Sequence, residues 1–276
     1  MENILSERLI DTSESYHFRA CGCSACKATP GNSELEVNSQ GTSTGGGRLT
    51  TDFLTSQTFS DHTQAALNGA SGEVLSFYIA QDLGRTWFDD YTYGQSLGHS
   101  AVEADFVRNI FTKIDEYIDL DFEEKSSSNG TTFDIYCLSS YSEWDSDTVG
   151  QVNDHGSGNS SYWDIYWKDT DGVGTLNSND AHTIVHEIGH ALGLSHPDED
   201  PNNTNWNTSD TVMSYNQGDN GWNDWFSEYD IATLQKIWGV EDDDDGVICP
   251  IYLVDDDGGL NLNGTNGDNI LRGTNY

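Results

Sequence analysis

The stretch His186 to Pro197, HEIGHALGLSHP, holds three histidines, one glutamate and two glycines. On a helix, His186 and His190 are four residues apart and share a face, so their imidazoles can hold one ion. Glu187 sits beside them, angled so that its carboxylate reaches toward a water on that ion. Gly193 then breaks the helix and lets the chain swing back, which brings His196 in as a third nitrogen ligand. Three imidazoles with one position left open describe a catalytic zinc site, where a bound water has a pKa of about 7. A further histidine, His182, lies four residues upstream. Eight residues of helix span about 12 Å, too far for His182 and His190 to share an ion with bonds of about 2.1 Å. His182 is therefore read as a surface residue.

The charge balance narrows the functional classes. Of 276 residues, 47 are Asp or Glu and 11 are Lys or Arg, a formal net charge of −36. Such a surface repels phosphate backbones and anionic membranes, so no nucleic-acid partner is expected. Excess carboxylate suits calcium binding or life in salty water. An apolar content of 35% is enough for a real core, and no apolar run approaches the ~18 residues of a membrane span. The five cysteines are uneven: Cys21, Cys23 and Cys26 cluster as CGCSAC, while Cys137 and Cys249 stand alone, so no disulfide scaffold is expected.

Outward from the histidine segment, the pattern is that of an α/β (α+β) domain. Strands are expected at EVLSFYIA (Glu73 to Ala80), at TTFDIYCL through alternating Phe133, Ile135 and Cys137, and at SYWDIYW through Trp163, Ile165 and Trp167. A long amphipathic helix is expected where Val102, Phe106, Ile110, Ile114 and Ile118 recur every four residues, opened by a Ser100–Glu103 capping box. The histidine helix should run from Asp180 to Leu194. A third helix should run from about Ser227 to Trp238, with Ile231, Leu234 and Trp238 on one face and Gly239 at its stop. Residues 1–61 are polar and poorly periodic, with the breaker run GTSTGGG, and read as a pro-segment or leader. Residues 62–240 form the main domain, and 241–276 an acidic linker and tail.

HEIGHALGLSHP resembles the zinc signature of the metzincin metalloproteases, and Pro197 after the third histidine resembles their serralysin branch. TVMSY resembles the Met-turn of that branch. The resemblance implies Met213 as an apolar floor beneath the zinc and Tyr215 as a zinc ligand or oxyanion donor. YDIATLQKIWG, Tyr229 to Gly239, is similar to the helix that closes the serralysin catalytic domain. The resemblance covers about residues 62–240. It implies a twisted, mostly parallel sheet with an active-site helix and a long backing helix, and a zinc endopeptidase with Glu187 as general base. The span from His196 to Met213 is shorter than serralysins lead one to expect, and the loop NQGDNGWNDW also departs. Trp206, Trp222 and Trp225 either wall a substrate pocket or, as the more ordinary reading, pack.

The two ends extend the resemblance. NGTNGDNIL, Asn263 to Leu271, resembles one degenerate RTX nonapeptide, which implies calcium as a second metal, Asp268 as a candidate ligand and the start of a β-roll. RTX proteases leave the cell through type I secretion, so a secreted, extracellular protein is expected, acting as a monomer on protein or peptide substrates. In CGCSAC a thiolate, with Cys21 first in line, is a candidate zinc ligand in a latent form, resembling a cysteine switch. A small separate metal site with His17 and a local disulfide are the competing readings. KDTDGVG, Lys168 to Gly174, is read as a solvated turn before it is read as a calcium loop. The rival for the whole chain is a non-catalytic RTX-type adhesion or surface protein. Retention of Glu187, all three histidines and Tyr215 argues for the enzyme.

Overall fold

The structure, a computed structural model, describes residues 49–241 and the backbone of two further strands, 251–254 and 260–263. Its centre is a seven-stranded sheet. Strand β5 (Phe133–Tyr141) lies parallel to β7 (Tyr162–Lys168), with Ile135 opposite Ile165. The alternating Phe133, Ile135, Cys137 and Trp163, Ile165, Trp167 all enter the main core. On the other side of β5, β1 (Val74–Ile79) runs parallel to its first half, and β4 (Asp121–Lys125) runs parallel to β1 at the edge. The hairpin of β2 (Gly84–Trp87) and β3 (Tyr93–Ser96) continues along the second half of β5, antiparallel to it. Strand β6 (Gly150–His155) closes the opposite edge, antiparallel to β7.

The sheet is thus mixed rather than mostly parallel. The cause is chain length: residues 88–92 and 156–161 join neighbouring strands directly, and a connection that short admits only an antiparallel return. Strands β2, β3, β4 and β6 are short and polar, which is why periodicity alone does not announce them.

Helix α3 (Ala101–Asp115) opens on the expected capping box: the Ser100 N–H donates to Glu103 Oε2 (2.6 Å) and the Glu103 N–H to Ser100 Oγ (3.4 Å). Its buried stripe is Ala104, Val107, Ile110, Phe111 and Ile114, whereas Val102 is 54% exposed. A strict four-residue recurrence turns about 40° past a full circle at each step, so the Val102–Ile118 series winds off the core face. Alternating steps of three and four hold to it.

Helix α1 (Thr51–Leu54) and the first part of α2 (Gln57–Leu67) fall within residues 1–61, and there Leu49, Leu54 and Phe59 are buried in the main core. The Ser56 N–H donates to Gly193 O (2.8 Å), the Ser195 N–H to Leu54 O (2.7 Å), and the Thr63 hydroxyl to Ala191 O (2.6 Å). Three well-placed apolar residues suffice to build residues 49–61 into the body, despite their polar neighbours. Helix α4 (Ser178–Ala191) crosses β7 and β6. Helix α5 (Glu228–Trp238) buries Ile231, Leu234 and Trp238, stops at Gly239 with φ 97°, and donates from Trp238 Nε1 to Leu192 O (2.8 Å). No helix among the described residues is long and apolar enough to cross a membrane.

Strands β8 (Ile251–Val254) and β9 (Leu260–Asn263) pair as an antiparallel hairpin. The CGCSAC cluster with Cys21, Cys23 and Cys26, then His17, Cys249 and Asp268, all lie outside the described residues.

Candidate metal centre

Every residue of α4 from Asp180 to Ala191 is buried, so its polar side chains must find partners inside the fold. Asn177 caps it by accepting from the Asp180 N–H (2.9 Å). Asp180 in turn accepts from the N–H (2.9 Å) and hydroxyl (2.5 Å) of Thr170, fixing the helix start to the loop that follows β7.

His186 Nδ1 lies 2.8 Å from Val212 O, and His190 Nδ1 lies 2.8 Å from Leu194 O. A carbonyl can only accept, so both rings carry their proton on Nδ1 and present a lone pair on Nε2. Gly193, at φ 104°, makes the turn that aims the Leu194 carbonyl back at His190 and carries the chain on to His196. The Nε2 atoms of His196 and His186 stand 3.2 Å apart, and one ligand atom from each of the three histidines falls within 4.8 Å of the others. Nε2 of His190 is buried with no hydrogen-bond partner. Burial, with the neighbouring imidazoles second, holds the His186 pKa well below the ordinary value, which keeps it in the neutral, metal-ready form.

Tetrahedral bonds of about 2.1 Å would separate ligand nitrogens by roughly 3.4 Å, close to the 3.2 Å seen between His186 and His196. The three ring nitrogens converge at the spacing of ligands to one ion. A cation is the partner they fit.

Glu187 is fully buried beside the triad, against Gly150 of β6. The Met213 side chain is fully buried and packs under α4 where Gly189 leaves room: a Cβ at Gly189 would sit 3.0 Å from Met213 Sδ. The Tyr215 ring stands 5.4 Å from the His186 ring and 5.0 Å from the His196 ring, centroid to centroid.

Two features escape a reading of the sequence. His182 is not at the surface: it is fully buried, donates from Nδ1 to Asn223 O (2.8 Å), lies 5.0 Å from the Trp222 ring, and has its pKa pushed down to about 4 by burial. Its place on the same helix face as His186 was the available signal. Asp230, fully buried at the start of α5, accepts from the Thr211 hydroxyl (2.5 Å), the Val212 N–H (2.9 Å) and the Ser227 N–H (2.8 Å). It therefore holds Val212, the residue whose carbonyl orients His186. The KDTDGVG segment, read first as a solvated turn and second as a calcium loop, brings carboxylate oxygens of Asp169 and Asp171 within 4.8 Å of one from Asp180 of α4.

The tryptophans pack. Trp206 is buried in the core, Trp222 lies against His182, and Trp225 carries the Lys113 ammonium 3.7 Å above its ring. No protein-family model matches the sequence, and no curated protein matches it.

Proposed function

We propose that the chain is a secreted zinc endopeptidase of the metzincin kind, similar to serralysins, which hydrolyses peptide bonds in proteins. The observation that supports this most is the convergence of three buried imidazoles, two with Nδ1 committed to backbone carbonyls, directly beside a buried glutamate. His186, His190 and His196 would hold the ion. Bound zinc supplies a Lewis acid that polarises the scissile carbonyl and acidifies the attacking water.

Glu187 takes the proton from that water and delivers it to the leaving amine. Its complete burial holds the carboxylate away from bulk water, beside the histidines. Tyr215, beside His186 and His196, donates a hydrogen bond to the developing oxyanion, a contribution of about 3 kcal/mol for a donor of this type. Met213 shapes the floor on which the imidazoles rest. A structural zinc would have its fourth position closed by a protein ligand and would give Glu187 no task.

Casein hydrolysis by the zinc-loaded wild type and by Glu187→Ala tests the reading. The expected result is a rate lower by about 10²–10⁴-fold in the variant, with zinc content unchanged. Equal rates, or no hydrolysis by the zinc-loaded wild type, would overturn it.

A further inference from the structure

Gly150 begins the edge strand β6, opposite Trp167 of β7, and is buried. Its φ is not positive, so no left-handed turn calls for glycine here, and a glycine inside a strand weakens it. What the position does require is space. A Cβ at 150 would lie 2.3 Å from Glu187 Oε1, 2.9 Å from Glu187 Cδ and 2.7 Å from Thr183 Cγ2. Gly193 differs, being required by its φ of 104°, and Gly189 differs again, since its nearest side-chain atoms are the apolar ends of Met213, Phe226 and Leu194. At Gly150 the atom in closest approach is the carboxylate oxygen of the residue read as general base.

We infer that Gly150 is a positioning residue for Glu187: the side chain it lacks is the slot in which the carboxylate is seated. This rests on the hydrolytic reading above. The crowding atoms are the ends of two side chains, Glu187 and Thr183, and no backbone atom is among them. A methyl group at 150 is therefore relieved by rotating the carboxylate away, with the fold intact. No histidine atom is among the three nearest to that methyl group, so the metal ligands are expected to stay in place. A proton acceptor displaced by about 1 Å from its working geometry loses on the order of 10²-fold in rate.

The test compares full-length, zinc-loaded wild type, Gly150→Ala, Glu187→Ala and the double variant. For Gly150→Ala the expected result is a kcat lower by about 10²-fold, with KM, zinc affinity and melting temperature close to wild type. The double variant should be no slower than Glu187→Ala alone, since both changes remove one function. An unchanged kcat overturns the inference, as does a further 10²-fold loss on the Glu187→Ala background or a parallel loss of zinc affinity and melting temperature. A crystal structure of Gly150→Ala gives an answer independent of activity. A displaced Glu187 carboxylate supports the inference even if the protein hydrolyses nothing, and an unmoved one overturns it even if the enzyme reading stands.

Discussion

The two faces of the sheet both bury titratable groups, and they do so in opposite ways. On the face turned away from α4, Asp134 of β5 lies in register with Asp164 of β7, both nearly inaccessible. The Asp164 carboxylate accepts from the Tyr166 hydroxyl (2.9 Å) and meets His155 Nε2 at 3.0 Å, while the Thr131 hydroxyl donates to Asp134. Donors there face acceptors. On the α4 face, His186, His190 and His196 bring one ring nitrogen each within 4.8 Å of the others, with no carboxylate among them. Buried polar groups that answer each other are structure. Buried imidazoles that converge at ligand spacing mark a candidate site for a metal ion.

The first way to break this comparison is to change the self-contained face. Burial, with the negative Asp164 beside it, pushes the Asp134 pKa up to about 7. A carboxyl raised from about 3.8 to about 7 stabilises the fold fully below the lower value and loses that contribution as the pH rises through the higher one. Hydrogen bonding to Asp164 raises the His155 pKa as well, and its contribution fades in the same direction. Asp134→Asn, which has no proton to lose, should therefore gain on the wild type between pH 4 and 8 by on the order of 4 kcal/mol in chemical denaturation. Its zinc affinity should be that of the wild type. A flat difference across this range, or a loss of zinc binding, would remove the distinction between the faces.

The second change sharpens the comparison from the other side, where the ligand atoms depend on backbone held elsewhere. Asp230→Ala takes away the acceptor for Thr211, Val212 and Ser227 and should cost about 3 kcal/mol of stability. Zinc affinity should fall by about 10–100-fold, because the Val212 carbonyl that orients His186 is no longer fixed. Full zinc affinity in this variant would mean that the imidazoles do not rely on that peptide.

What the sequence discloses about the site is what is local. Spacing of four along a helix places His186 and His190, Gly193 marks the turn to His196, and serine caps mark the starts of α3 and α5. These follow from geometry within one or two turns of chain. The seating of Glu187 against Gly150, the hold of Asp230 on Val212 and the burial of His182 under Asn223 are made by segments far apart in sequence. No short-range pattern encodes them. The same holds for residues 49–61, whose few apolar side chains gain meaning only once the turn after α4 is there to receive them.

The central claim is that the three imidazoles share one ion. X-ray absorption at the zinc edge of the full-length protein, loaded with one equivalent of zinc, reads the coordination shell directly. The account predicts three imidazole nitrogens at about 2.0–2.1 Å with a light oxygen or nitrogen atom completing the shell, and loss of this signature in His196→Ala. A shell with fewer than three imidazoles, or a spectrum unchanged by His196→Ala, would contradict it.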